Sequence, residues 1–267
     1  MTIYFLGGGN MAAAIISGLR RQQPDAAVHV ANRGEEKRAL LAAEYGVAVS
    51  EKLPQLSAED VLVLAVKPQD MQAACAGLDT HGALVLSVAA GLSVATLQAY
   101  LGGTRRIIRI MPNTPGQIGL GMAGLFAAEG VSAADRQTAE QIMQASGQTL
   151  WLDEEAQMHS ITGISGSGPA YVFYLMDALK AAAQEQGFDE AQARQLSLAT
   201  FKGAVLLAEQ TGEDFALLQQ KVTSKGGTTH QAIETFKHGH VAETIAQGVA
   251  AAVARSEEIS RQFDTQS

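Results

Sequence analysis

Residues 2–12 read Thr-Ile-Tyr-Phe-Leu-Gly-Gly-Gly-Asn-Met-Ala, and this stretch decides the fold. TIYFL (2–6) is a short apolar run of strand length. Gly7, Gly9 and Ala12 follow with G-x-G-x-x-A spacing, and a helical pattern runs on to about Arg21. In a strand–turn–helix unit each small residue has a task. Gly7 permits the tight turn, Gly9 lets the backbone approach a pyrophosphate, and Ala12 lets helix pack on strand. The helix start offers free N–H groups and positive partial charge to phosphates. The cofactor contacts expected here are Leu6, Gly7, Gly8, Gly9, Asn10 and Met11.

The pattern repeats outward from that turn. AVHVA (27–31), VLVLAV (61–66), ALVLSV (83–88) and RIIRI (106–110) read as further strands, with helical stretches at 35–44 and from Pro68 to about Gly77. The Val- and Leu-rich runs suit strands covered on both faces. Strand–helix repetition implies parallel pairing with right-handed crossovers. Residues 120–127, a helix near 132–145 and a strand near 148–152 complete an α/β, Rossmann-type, doubly wound and mostly parallel sheet. After about residue 155 strand-like runs disappear, and 169–187, 189–211, 213–220, 228–237 and 240–262 all read as helices. The expected division is a dinucleotide-binding domain at 1–158 and an all-helical domain at 159–267.

Other strand ends face the same crevice, because ligands bind outside the carboxyl ends of parallel strands. The second strand ends at Asn32-Arg33, where an NAD site would carry Asp or Glu for the ribose 2′-hydroxyl. Arg33 suits a 2′-phosphate instead, so NADP(H) is favoured, with NAD(H) as the alternative. Glu35 and Glu36 nearby keep open a reading of Arg33 as a solvated loop cation. Ala65, Val66, Lys67 and Pro68 end the third strand, Ala90 follows the fourth, and Asn113 follows the fifth; all are candidate cofactor contacts.

A second loop, Val222-Thr223-Ser224-Lys225-Gly226-Gly227-Thr228-Thr229, precedes a helical pattern. It gathers free N–H groups and hydroxyls suited to a small anion such as a carboxylate. An ordinary interhelical turn capped by Thr228 fits the same residues.

Composition narrows the classes. The chain has 267 residues and a net charge of 19 − 27 = −8. An acidic surface disfavours nucleic acid as a partner. The single Cys75 excludes an internal disulfide and any thiolate cluster, and the six His lack metal-ligand spacing, so no metal is expected. No apolar run reaches the roughly 18 residues of a membrane span, and no signal peptide is read, so a cytoplasmic protein is expected.

Six ordered segments resemble the pyrroline-5-carboxylate reductase family: FLGGGNM (5–11), AVKP (65–68), SVAAG (87–91), MPNTP (111–115), ITGISGSGPAYVF (161–173) and LLQQKVTSKGGTTHQAIETF (217–236). The resemblance implies hydride transfer from NAD(P)H to the C=N carbon of 1-pyrroline-5-carboxylate, giving L-proline, the last step of proline biosynthesis. It implies that Glu154, Ser224, Gly227, Thr228 and Thr229 bind the substrate, with the Thr229 hydroxyl as hydrogen-bond donor to the ring nitrogen. It also implies that the helical domain dimerises, with larger rings of dimers in the family. Two departures stand out: Lys225 lies where some members have Pro, and Gly34 where a hydroxyl residue often binds the 2′-phosphate. Reduction of another small cyclic imine, or a non-catalytic NADP-binding sensor, are the other readings.

Overall fold

The computed structural model describes residues 1–264. The strands are β1 (Ile3–Leu6), β2 (Val28–Ala31), β3 (Ala48–Ser50), β4 (Val61–Leu64), β5 (Leu84–Ser87), β6 (Ile107–Met111), β7 (Gly121–Ala127) and β8 (Gly147–Trp151). They form one sheet in the order β3-β2-β1-β4-β5-β6-β7-β8. Its first six strands follow the dinucleotide-binding order, with the switch point between β1 and β4. Helices α1 (Asn10–Gln22), α2 (Glu35–Tyr45), α3 (Pro68–Cys75), α4 (Val94–Tyr100) and α5 (Ala133–Gln144) connect them.

All strand pairs are parallel except β6–β7, where Ile108 faces Ala127 and Met111 faces Gly124. The reason is chain length. Only residues 112–120 join β6 to β7, and they hold a single 3-10 turn, Thr114–Ile118. A parallel partner needs a longer crossover.

Alternation along the strands divides the core into two. Val61 and Val63 of β4 pack on one face with Ile3, Phe5, Ile15, Ile16 and Leu19. Leu62 and Leu64 pack on the other with Met71, Val85, Leu97 and Ile107. With helices on both faces, β4 is buried at all four positions, as its unbroken apolar run requires. Cys75 closes α3 on the second face, and burial pushes its thiol up to about 11. It is a packed small residue of the core.

The chain divides into two compact units: Met1–Ser167 together with the chain from Ala252, and Gly168–Ala251. The boundary at 158/159 read from the sequence falls inside α6 (Gln157–Ile161), which a π-helical turn, Thr162–Gly166, continues. The second unit is all-helical: α7 (Gly168–Glu185), α8 (Glu190–Thr211), α9 (Phe215–Lys221), α10 (Thr228–His238) and the start of α11 (Val241–Asp264). Asp189 and Gln192 form a capping box on α8, and Ser197 Oγ donates to the Met176 carbonyl to tie α8 to α7. No residue of α7 is buried, and Phe173, Tyr174, Val205, Phe215 and Phe236 are exposed. Apolar surface on that scale marks an interaction face.

Candidate active site

At the switch point the glycine loop takes the conformation its spacing predicts. Gly7 sits at φ +101, and a Cβ there would stand 2.8 Å from the Ala65 carbonyl oxygen, so only glycine fits. Its N–H donates to Ala31 O at 2.9 Å, and Ala65 N–H donates to Leu6 O at 2.9 Å. These bonds draw the ends of β1, β2 and β4 together, bringing Leu6, Gly7, Gly8, Gly9 and Ala65 into one cluster. Gly9 occupies the capping position of α1 and has no side chain to cap it. The first turn, beginning with Asn10 and Met11, carries no acidic residue. An uncapped, uncontested helix start of this kind accepts an anion.

Asn32 does more than end β2. Its Oδ1 accepts from Gly8 N–H at 3.3 Å, and its Nδ2 donates to Gly34 O at 3.3 Å, fastening the glycine loop to the next strand end. Arg33 is exposed beside it. Arg38, which the sequence reading missed, donates from Nη1 to the carbonyls of both Asn32 (2.7 Å) and Arg33 (2.8 Å). It shapes the Asn32–Gly34 turn. The only sequence signal was its position one helical turn after Gly34, whose carbonyl accepts the Arg38 N–H.

Lys67 is extended and exposed at the capping position of α3, with Pro68 in the first helical turn. Val66 is half-buried, and Ala90 is exposed after β5. Asn113 is held by its protein partners: Oδ1 accepts from Met122 N–H at 2.9 Å, and Nδ2 donates to Ser165 O and Oγ. Glu154 is exposed in the turn before α6, its N–H donating to Gln157 Oε1. Its neighbour Glu155 is the carboxylate engaged by the fold. Glu155 Oε1 accepts from Arg109 Nη1 at 2.6 Å and from Val94 N–H at 2.7 Å. Arg109 Nε and Ser87 Oγ, at paired positions on β6 and β5, are buried without a partner among the described residues.

In the helical unit, Gly226 takes φ +73 and Gly227 caps α10. Thr228 is therefore the first helical residue and not the cap. Gly227 N–H donates to Ser224 O, and a Cβ on Gly227 would lie 2.5 Å from Ser224 Oγ, so the hydroxyl folds over the glycine. Thr228 and Thr229 open the helix, and its first turn carries no acidic residue. The loop has the make-up of an anion site, the counterpart within its own unit of the α1 start. Among the described residues no group of three or more His, Cys, Asp or Glu could hold a metal, and no helix is long and apolar enough to cross a membrane.

Comparisons with known proteins bear on both units. Residues 155–259 match the model of a pyrroline-5-carboxylate reductase dimerisation domain, and residues 2–91 match that of a coenzyme F420-dependent NADP oxidoreductase. The chain is 42% identical to pyrroline-5-carboxylate reductase of Pseudomonas aeruginosa, covering 98% of this chain and 97% of that one. It is 41% identical to the enzyme of Haemophilus influenzae, covering 98% of each. Among solved structures, pyrroline-5-carboxylate reductase from Coxiella burnetii aligns with a TM-score of 0.91 at 38% identity, over 97% of this chain and 98% of that one.

Proposed function

The chain belongs to the pyrroline-5-carboxylate reductase family, and on that premise we propose how its own residues carry the reaction. Hydride passes from the dihydronicotinamide of NAD(P)H to the C=N carbon of 1-pyrroline-5-carboxylate, and the products are L-proline and the oxidised cofactor. The observation that carries this reading is the pair of uncapped, glycine-led helix starts, Gly9–Asn10 and Gly227–Thr228. One suits a pyrophosphate and the other a carboxylate.

In this reading Leu6, Gly7, Gly8, Gly9, Asn10 and Met11 hold the pyrophosphate. Asn32 and Arg33 take the adenosine end, where the absence of a carboxylate favours NADPH over NADH. Ala65, Val66, Lys67, Pro68, Ala90 and Asn113 line the nicotinamide end. Ser224 and the N–H groups of Gly227, Thr228 and Thr229 receive the substrate carboxylate, with Glu154 near it. The Thr229 hydroxyl donates to the ring nitrogen. A protonated imine is already electrophilic, so orientation supplies most of the catalysis, and well-ordered proximity lowers a barrier by about 7–11 kcal/mol.

The dimerisation match and the exposed apolar helices support a homodimer, and a ring of such dimers is the larger assembly we propose. A cytoplasmic setting fits the lone, buried Cys75 thiol. The test is absorbance loss of NADPH, then of NADH, with 1-pyrroline-5-carboxylate. Rapid oxidation yielding proline, faster with NADPH, is expected. Folded protein that binds NADPH yet oxidises none would shift the reading to another imine or to a sensor.

A further inference from the structure

The end of α11 lies against the turn that follows β5. One carboxylate oxygen, Asp264 Oδ1, accepts from Ser93 Oγ at 2.7 Å and from Thr96 Oγ1 at 2.7 Å. Ser93 Oγ is also the N-cap acceptor for Thr96 N–H at 3.1 Å, and the two hydroxyl oxygens stand 2.9 Å apart. Thr96 is buried, so its hydroxyl has little access to water as a substitute partner. Two residues before Ser93, Gly91 turns at φ +79, and α11 closes over it: a Cβ there would stand 2.9 Å from Ile259 Cγ2 and 3.7 Å from the Phe263 ring. From another element, Glu155 accepts the Val94 N–H. The segment 91–96 is thus gripped by α11 through two hydroxyls and an apolar contact, and by Glu155 through the backbone.

The gripped segment begins immediately after Ala90, at the carboxyl end of β5. Strand ends on this side of a doubly wound sheet carry the ligand. A backbone surface that a flat ring lies against works only if it is held still, since ordering a loop on binding costs affinity. The hydroxyl pair has a second arrangement open to it. Without the carboxylate, Ser93 and Thr96 can still bond each other and keep α4 capped, but the turn then loses both hydroxyl bonds to Asp264, while the Ile259 and Phe263 packing on Gly91 stays.

We propose that Asp264 is a positioning residue for the nicotinamide cofactor: by drawing the Ser93 and Thr96 hydroxyls onto one oxygen, it fixes the turn after Ala90 and with it the backbone the cofactor lies against. The proposal rests on the reading of the β5 end as a cofactor contact. It assigns a function in cofactor binding to a side chain that belongs to the last helix, far along the sequence from every glycine of the nucleotide loop.

The test uses the full chain and four variants: Asp264→Ala, Asp264→Asn, Thr96→Val, and Asp264→Ala combined with Thr96→Val. Binding is read by titrating NADPH and NADH against the fluorescence of the bound cofactor, and turnover and melting temperature are measured alongside. Asp264→Ala is expected to weaken both cofactors about tenfold, the size of one charged hydrogen bond, with kcat within about twofold of the parent. Asp264→Asn keeps an oxygen that accepts both hydroxyls and is expected to restore binding. Thr96→Val should weaken binding less than Asp264→Ala, and the double variant should bind no worse than Asp264→Ala alone. A merely structural role would lower the melting temperature of Asp264→Ala while leaving its cofactor binding unchanged. Parent-like cofactor binding by Asp264→Ala overturns the proposal, as does failure of Asp264→Asn to recover. Should Asp264→Ala not fold, unchanged binding by Thr96→Val overturns it instead. If the parent chain itself fails to bind NADPH, the cofactor reading falls and takes the proposal with it.

Discussion

Arg109 and Glu155 meet with Nη1 2.6 Å from Oε1, and the same oxygen holds the first N–H of α4. The Arg109 side chain is only 5% exposed, and its Nε has no partner among the described residues. A strand from the middle of the sheet, the turn before α6 and the start of α4 thereby share one charged contact. Removing the carboxylate leaves a buried guanidinium unpaired. We expect Glu155→Ala to lose about 3 kcal/mol of stability, the low end of the range for breaking a buried pair because Glu155 itself is partly exposed. Urea unfolding midpoints check this, and Glu155→Gln, which still accepts from Val94, should fall between.

Arg33 is the exposed cation beside Asn32, and Arg38 holds the carbonyls on either side of that junction. Arg33→Ala is expected to raise KM for NADPH by about tenfold or more, as loss of a charged phosphate contact would, and to leave NADH little changed. Equal losses with the two cofactors would show that Arg33 does not read the 2′-phosphate.

Thr229 follows the first helical residue of α10. Thr229→Ala is expected to lower kcat by about tenfold, the equivalent of roughly 1.4 kcal/mol of transition-state stabilisation. Thr229→Ser, which keeps the hydroxyl, should retain most of the turnover. Unchanged steady-state kinetics in the alanine variant would remove Thr229 from the mechanism.

His159 sits on α6 with Nδ1 2.9 Å from Ser256 Oγ of α11. Burial, reinforced by the Arg109 charge, lowers its pKa from the ordinary 6.5. The unfolded chain then binds the proton more readily than the folded one, so stability rises with pH through this window. The contribution is complete above about pH 6.5 and is lost as pH falls toward the folded value. The melting temperature of the parent should drop between about pH 7 and about pH 5.5, and His159→Gln should flatten that slope. An identical slope in the variant would assign the acid sensitivity elsewhere.

Much of the sheet was legible because β1, β4 and β5 are apolar throughout, and only strands covered on both faces tolerate that. β3 was missed: Ala48-Val49-Ser50 is an edge strand too short to show alternation. α4 was missed for the same reason of length, although Ser93 announces its cap. The antiparallel turn from β6 to β7 lay in the short link 112–120, which the expected strand limits already contained. At the site, Gly7 and Gly9 were readable because their spacing encodes a backbone shape. Arg38 and Glu155 were not, because their partners are carbonyls, a strand arginine and a helix N–H that only the fold brings near. The family resemblance points to Glu154, and the carboxylate that the fold engages is its neighbour.

The nucleotide unit is not one continuous length of chain. Residues from Ala252 return to it after the whole of Gly168–Ala251 has intervened. During synthesis the glycine loop and all the strands leave the ribosome well before the residues that cover Gly91 and bind Ser93 and Thr96. Domains usually fold as units in order of emergence. Here the core cluster that holds Leu97 is packed against by Phe263, a residue made only after the whole helical part. A nascent chain halted at Ser167 would hold the whole phosphate loop but not the helix end that packs on Gly91 and binds Ser93 and Thr96.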